Sequence, residues 1–314
     1  MKKAFTLLEL IIVIVIVGII SYIGVEITLN VYKNYLQSRA INTLETQTEL
    51  VLEQISKRLA IRVKGSAIGK KIDINGRGHG DFVSTSSTQL NNNFPILEWV
   101  AYSYESFQDG SWTGFIDLNN PSSNSTKATG ILGGSLATPG SRLLTQVSQN
   151  SPASANQNIK DLTNYQASIE NQNIGVIFKG TNLNSNSSFG YNNSTARAVA
   201  LVANSTQDTS LNVIRYEGAL ISEQYYLLHT AYAIVPGQAS TDNDFNLFLY
   251  YNFRPWVGQE YTDGSRSLLA TNVTRFNFTE ANGVLVLKLC IRDAGRSLDP
   301  TEAETTVCKT KAVY

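Results

Sequence analysis

Polar positions are nearly absent from the start of the chain. Between Ala4 and Val25 only Thr6, Glu9 and Ser21 interrupt an apolar run, and Lys2 and Lys3 precede it. As a helix rising about 1.5 Å per residue, this stretch spans roughly 33 Å. A bilayer's hydrocarbon core is about 30 Å thick, and a helix satisfies its own backbone there. The two lysines predict a cytoplasmic N-terminus, with everything after Val25 outside the cytoplasm. A cleaved secretory signal is the rival reading. It requires an apolar run of about 7–15 residues followed by a small-x-small site. The run here is longer, and Ser-Tyr-Ile-Gly-Val-Glu at 21–26 is a poor site.

The polarity then changes while the helical period continues. From Glu26 to Lys64 there is neither Pro nor Gly. Apolar residues recur at Leu29, Tyr32, Leu36, Ile41, Leu44, Leu52, Ile55 and Leu59, with Val51 beside them, and from Ile41 to Leu59 the steps are helical, with Thr48 on the same stripe. Glu45, Glu49, Glu53, Lys57 and Arg58 lie opposite. Glu53 and Lys57 form an i,i+4 pair in the favourable order. The spacing predicts one helix from Phe5 to Lys64, ended by Gly65-Ser66 and Gly69.

Beyond that point the period shortens towards two. Trp99–Tyr104 and Trp112–Leu118, joined by Gln108-Asp109-Gly110-Ser111, predict a hairpin. Residues 119–160 are rich in Asn, Ser, Thr, Gly and Gln and predict a long polar excursion. Ile174–Lys179 is a strand candidate. The signal strengthens from Arg197: Arg197–Ala203, Leu211–Glu217, Tyr225–Val235, Asn246–Phe253, Ser267–Thr279, Gly283–Arg292 and Thr306–Tyr314 all read as strands. Turns are expected at Pro236-Gly237, Asp263-Gly264 and Asn282-Gly283. Short connections of this kind predict an antiparallel sheet.

Composition narrows the class. Among 314 residues, charged side chains make up 16%, and 25 Lys+Arg balance 25 Asp+Glu. That balance gives no sign of nucleic-acid binding. The abundance of Asn, Ser, Thr and Tyr suits an extracytoplasmic β-rich body with polar loops. Cys290 and Cys308 are an even count in an oxidising setting, which fits one disulfide stapling the last strand to the sheet. Two separate buried thiols are the alternative.

Glu9 is the anomaly of the apolar run, because a carboxylate at the centre of a spanning helix costs about 2.5–3.5 kcal/mol. On the residue alone two readings stay open. One is an acid favoured by the helix start. The other is a partner for a new amino terminus, created by a cut before Phe5, on a neighbouring chain.

The order of elements in Lys-Lys-Ala, then Phe5-Thr-Leu-Leu-Glu9-Leu and the apolar run, resembles the leader of type IV pilins and type II secretion pseudopilins. The resemblance covers about the first 25 residues, with Ala4 standing where the family usually has Gly. It implies cleavage between Ala4 and Phe5 by a prepilin peptidase/methyltransferase and N-methylation of Phe5. It implies Glu9 as the charge that guides assembly, with other pilin subunits and an inner-membrane assembly platform as partners. It also implies an α+β, pilin-like fold, in which a long N-terminal helix packs on an antiparallel sheet with long polar loops. The corresponding segments are a leader at 1–4, a transmembrane and assembly half-helix at 5–25, an amphipathic half-helix at 26–64 and a β-rich periplasmic body at 65–314. The cysteine pair near the C-terminus, around Asp293-Ala-Gly-Arg and Asp299-Pro300, is similar to the end of many pilins. The size of the body leans towards a minor subunit.

Catalytic chemistry finds little support. His79 and His229 are the two histidines, and His229 reads as a satisfied or surface residue of a strand. No nucleophile elbow or His-Glu-x-x-His sequence occurs. The glycine-rich stretch Asn75–Asp81 lacks the strand–loop–helix setting of a phosphate loop. Asp242 and Asp244 alternate as in calcium loops but lack the following Gly and the distal Glu, so they are a weak metal candidate beside a plain hairpin connection. Tyr250, Tyr251, Phe253 and Trp256 read as core rather than contact patch. A non-enzymatic filament subunit without cofactor is the expectation, and a membrane-anchored periplasmic binding module that does not assemble is the alternative.

Overall fold

The computed structural model describes residues 7–73, 78–123, 133–144, 153–202, 207–214, 221–240, 244–293 and 304–314. The cleavage position Ala4–Phe5, Asp242, and the segments 74–77 and 294–303 lie outside the described residues. Helix α1 runs from Leu7 to Ala60 without interruption, about 80 Å at the usual rise.

Its two halves meet different surroundings. Every residue from Leu7 to Tyr35 is exposed. From Leu44 onward a stripe of Leu44, Thr48, Val51, Leu52, Ile55 and Leu59 is buried, following the predicted spacing. The helix ends four residues before the predicted Lys64 because the next residues pair with a strand. Val63 donates its N–H to the Val100 carbonyl at 2.8 Å, and Tyr102 donates to the Ile61 carbonyl at 2.9 Å. Arg62 is buried there, and its guanidinium donates to the carbonyls of Leu59, Gly283 and Tyr314. It ties the helix end to a distant turn and to the last residue.

The described strands make two antiparallel sheets rather than the one expected. The larger comprises β1 (Ile68–Lys70), β2 (Phe82–Ser84), β3 (Ile96–Ala101), β9 (Thr230–Ser240), β10 (Asp244–Phe253), β11 (Ser265–Ala281), β12 (Val284–Arg292) and β13 (Thr306–Val313). Its order is β13-β12-β11-β10-β9-β3-β1-β2. The smaller holds β4 (Gly133–Ala137), β5 (Gly175–Phe178), β6 (Ala200–Val202), β7 (Ser210–Ile214) and β8 (Tyr225–Leu228), in the order β4-β7-β6-β5-β8.

Alternation along β3 shows how the layers stack. Leu97 and Trp99 face α1 in one core with Leu247, Leu249, Leu287 and Leu289. Ile96 and Val100 face the other way, into a core shared with Ile177, Leu201 and Leu228 of the smaller sheet. A third core lies on the far side of the smaller sheet, where Val176, Phe178 and Leu227 meet Trp112 and Ile159. Ile159 belongs to α3 (Ala155–Leu162), which starts at Ser154, whose hydroxyl accepts from the Gln157 N–H. The described body is therefore helix, sheet, sheet and short helix in succession.

The fold departs from the sequence pattern in several places. The hairpin at Trp99–Leu118 does not form, because both edges of β3 are taken by β1 and β9. The second half instead follows α2 (Tyr104–Gln108), and Trp112 and Ile116 are buried in the third core. The polar excursion 119–160 contains β4 and the start of α3. Pro236-Gly237 is not a turn; Pro236 lies within β9 at a bulge, opposite Leu247 and beyond the last residue paired to β3. The run Tyr225–Val235 is two strands. It leaves the smaller sheet at Leu228 and enters the larger at Thr230, with His229 between. Asn282-Gly283 does turn as predicted, with both residues at positive φ.

Candidate functional site

Two regions concentrate chemistry. The first is the exposed half of α1. The side chains from Leu7 to Val25 present an almost wholly apolar surface on all sides, with Leu7, Ile14, Ile20 and Tyr22 each more than 60% exposed. Glu9 lies in the first turn of the helix, where the macrodipole favours a carboxylate. The helix is long and apolar enough for a single-pass membrane anchor, and none of its most apolar window is buried in the body.

The second half of the helix is held by charge as well as packing. Lys311 of β13 pairs with Glu53 and lies 3.4 Å from Glu49, while Lys309 lies 3.3 Å from Glu49. The face that reads as solvent-exposed in the sequence is therefore partly turned to a strand. Hydrogen bonding to Lys309 and Lys311 holds the Glu49 carboxyl below its ordinary range. The predicted Glu53–Lys57 pair is present at 3.9 Å. Behind these lysines, Cys290 and Cys308 stand directly opposite on β12 and β13, 4.0 Å apart at Cα, and are joined as a disulfide. The last strand, against which α1 chiefly packs, is thus covalently fixed to its neighbour.

The second region lies between the two sheets and is not legible in the sequence. Lys70 on β1 is fully buried, and its Nζ is 2.6 Å from Glu260 Oε2 and 3.4 Å from Glu98 Oε2. The β1–β3 register pairs Ile68 with Glu98 and Lys70 with Ile96. Lys70 and Glu98 are therefore diagonal neighbours on one face. Glu260 is buried and arrives from a loop, its own N–H donating to the Asp263 carboxylate at 2.8 Å. Tyr261 places its ring 5.7 Å from the Lys70 ammonium. His79 stands at the rim, half-exposed, with Nε2 3.5 Å from Glu260 Oε1. Burial pushes the Glu98 carboxyl up to about 7 against the pull of Lys70, and burial likewise raises that of Glu260. Glu98 Oε1 accepts no hydrogen bond among the described residues. The only hint in the sequence is a lone carboxylate inside the apolar Ile96–Ala101 run.

His229 is buried at the step from the smaller sheet to the larger, not at the surface, and its Nδ1 lacks a hydrogen-bond partner among the described residues. Burial, then the nearby Arg254 charge, lowers it to about 4. Asp244 is not a loop ligand. It is buried at the start of β10, where Arg292 donates to its Oδ2 from both Nε and a terminal nitrogen, at 2.7 and 2.6 Å. Among the described residues no group of three or more His, Cys, Asp or Glu is disposed to hold a metal ion. Phe253 and Trp256 are core residues and Tyr250 packs against that core, as the sequence predicts.

The geometry defines an α+β protein whose long N-terminal helix has one half compatible with a single-pass membrane anchor and one half packed on the sheet. Residues 1–21 match the family model described as the prokaryotic N-terminal methylation motif, and with that motif at the head of this helix the chain is type IV pilin-like. No curated protein and no solved structure matches the chain. The motif family is structural rather than enzymatic, and the motif implies processing by a prepilin peptidase and association with pilin subunits.

Proposed function

We infer that the chain is a minor pilin or pseudopilin subunit of a type IV pilus or type II secretion filament. In this reading, prepilin peptidase removes the leader 1–4 on the cytoplasmic face and Phe5 is N-methylated. Residues 5–25 cross the inner membrane until they are drawn into a helical bundle. Residues 26–64 form the spine of a periplasmic body, 65–314, at the surface of the assembly.

The observation that carries the reading is the exposed apolar half of α1 beneath the methylation motif. A surface of that extent is stable only against lipid or against like helices. Lipid alone would accept it without a carboxylate. Glu9 is accounted for if it pairs with the methylated amino terminus of an adjacent subunit, since a charge inside such a bundle is tolerated only when paired.

The test has two arms. Mass spectrometry of the mature protein should find a chain starting at methylated Phe5. Glu9→Ala should lose filaments at least about tenfold, as expected for breaking a buried pair, while the body keeps its disulfide and fold. An intact Met1 would support the non-assembling anchored module instead, and wild-type filament levels in the variant would remove Glu9 from assembly.

A further inference from the structure

We propose that Lys70 and Glu260 become joined by an intramolecular isopeptide bond, with Glu98 as the proton-transfer group that forms it. The juxtaposition is of a kind that structural ion pairs do not require. One lysine stands between two carboxylates in a layer otherwise built from Ile68, Ile96, Tyr191, Trp256 and Tyr261. Lys70 and Glu98 have no side-chain exposure and Glu260 has 4%. Burying three ionisable groups is unfavourable even when they are paired, and here two carboxylates share one ammonium. Condensation removes the ammonium and one carboxylate together and leaves a neutral amide.

The step balances within the site. Lys70 passes a proton from its ammonium to Glu98, which burial has made unusually willing to hold one. The free amine attacks Cδ of Glu260, whose Oε2 is already 2.6 Å from Nζ. Glu98 returns its proton to the departing oxygen and takes up a second proton from the nitrogen, which also goes to that oxygen. The C–N bond forms, the C–O bond breaks, one water leaves and Glu98 ends as it began. No oxidant, metal or co-reactant is needed. Fixed reactants of this kind reach effective concentrations of about 10⁵–10⁸ M. His79, half-exposed, stands 3.5 Å from Glu260 Oε1, so the site reaches solvent on that side. The bond would close a loop of 190 residues, tying the strand just after α1 to the loop that leads into β11.

The full chain, solubilised in detergent, is denatured, reduced and digested, and its peptides are sequenced by tandem mass spectrometry. The expected product is a branched peptide joining the Lys70 and Glu260 segments, lighter than their sum by one water. In Glu98→Gln, which keeps size and hydrogen bonding, the branched peptide should fall at least about tenfold while the Cys290–Cys308 disulfide still forms. Two linear peptides in wild type overturn the proposal whatever the variant does. A branch on Glu98 rather than Glu260 overturns the assignment of roles, and undiminished branching in the variant overturns the part given to Glu98.

Discussion

His229 shows how one side chain can set a property of the whole body. It sits where the chain steps from the smaller sheet to the larger, with Leu228 paired on one side and Thr230 on the other. Burial first, and Arg254 second, hold its folded-state pKa at about 4, against roughly 6.5 in an unfolded chain. Between those values the unfolded state binds more protons, so stability rises with pH across that window and is lost as the pH falls through it. The full effect is on the order of 3 kcal/mol. His229→Gln should therefore flatten urea-denaturation stability between about pH 4 and 6.5 relative to wild type. A slope equal to wild type would mean that other groups dominate the acid response. The sequence contains His229 in a β-rich run but not its burial, because alternation cannot reveal that a continuous run changes sheets midway.

At the level of elements, the last strand is the one that most determines how α1 is held. β13 is an edge strand, with β12 on one side only, and it carries Lys309 and Lys311 towards the helix. The disulfide makes that edge permanent. A bridge closing a loop of 18 residues contributes about 3 kcal/mol by restricting the unfolded chain. Replacing Cys290 and Cys308 together by Ser should lower unfolding free energy in denaturant by about that amount, and a loss below roughly 1 kcal/mol would show that the strand pairing persists without it. This bridge, the apolar stripe of α1 and β10 to β13 were all legible, because each depends on local period, on an Asn-Gly turn or on two cysteines. The hairpin after Trp99 was not. Its turn residues, Asp109-Gly110, serve equally to end a helix, Gly110 having φ of 65°, and only the occupied edges of β3 decide between the two. The Lys70–Glu98–Glu260 cluster was also hidden, since its members lie on β1, on β3 and in a loop 162 residues beyond Glu98 (260 − 98).

Across the whole molecule, the helix divides at a point the sequence marks only gradually. Apolar residues continue from the membrane-length run into the amphipathic stripe, yet burial begins at Leu44, and everything from Leu7 to Tyr35 stands outside the body. The two halves should therefore differ sharply in what they contribute to folding. A chain starting at Leu36 removes no core side chain, and its body should unfold within about 0.5 kcal/mol of the full protein, in buffer without detergent. A chain starting at Arg62 loses Leu44, Val51, Leu52, Ile55 and Leu59 from the core against β12 and β13. Each such loss costs about 2–5 kcal/mol, and the five together, about 10–25 kcal/mol, match or exceed the roughly 5–15 kcal/mol that hold a domain folded. That chain should give no cooperative thermal transition. Should the first truncation melt much lower than the full protein, the exposed half would be supporting the body after all. Its apolar surface would then be poorly placed to leave the bilayer for a bundle of like helices.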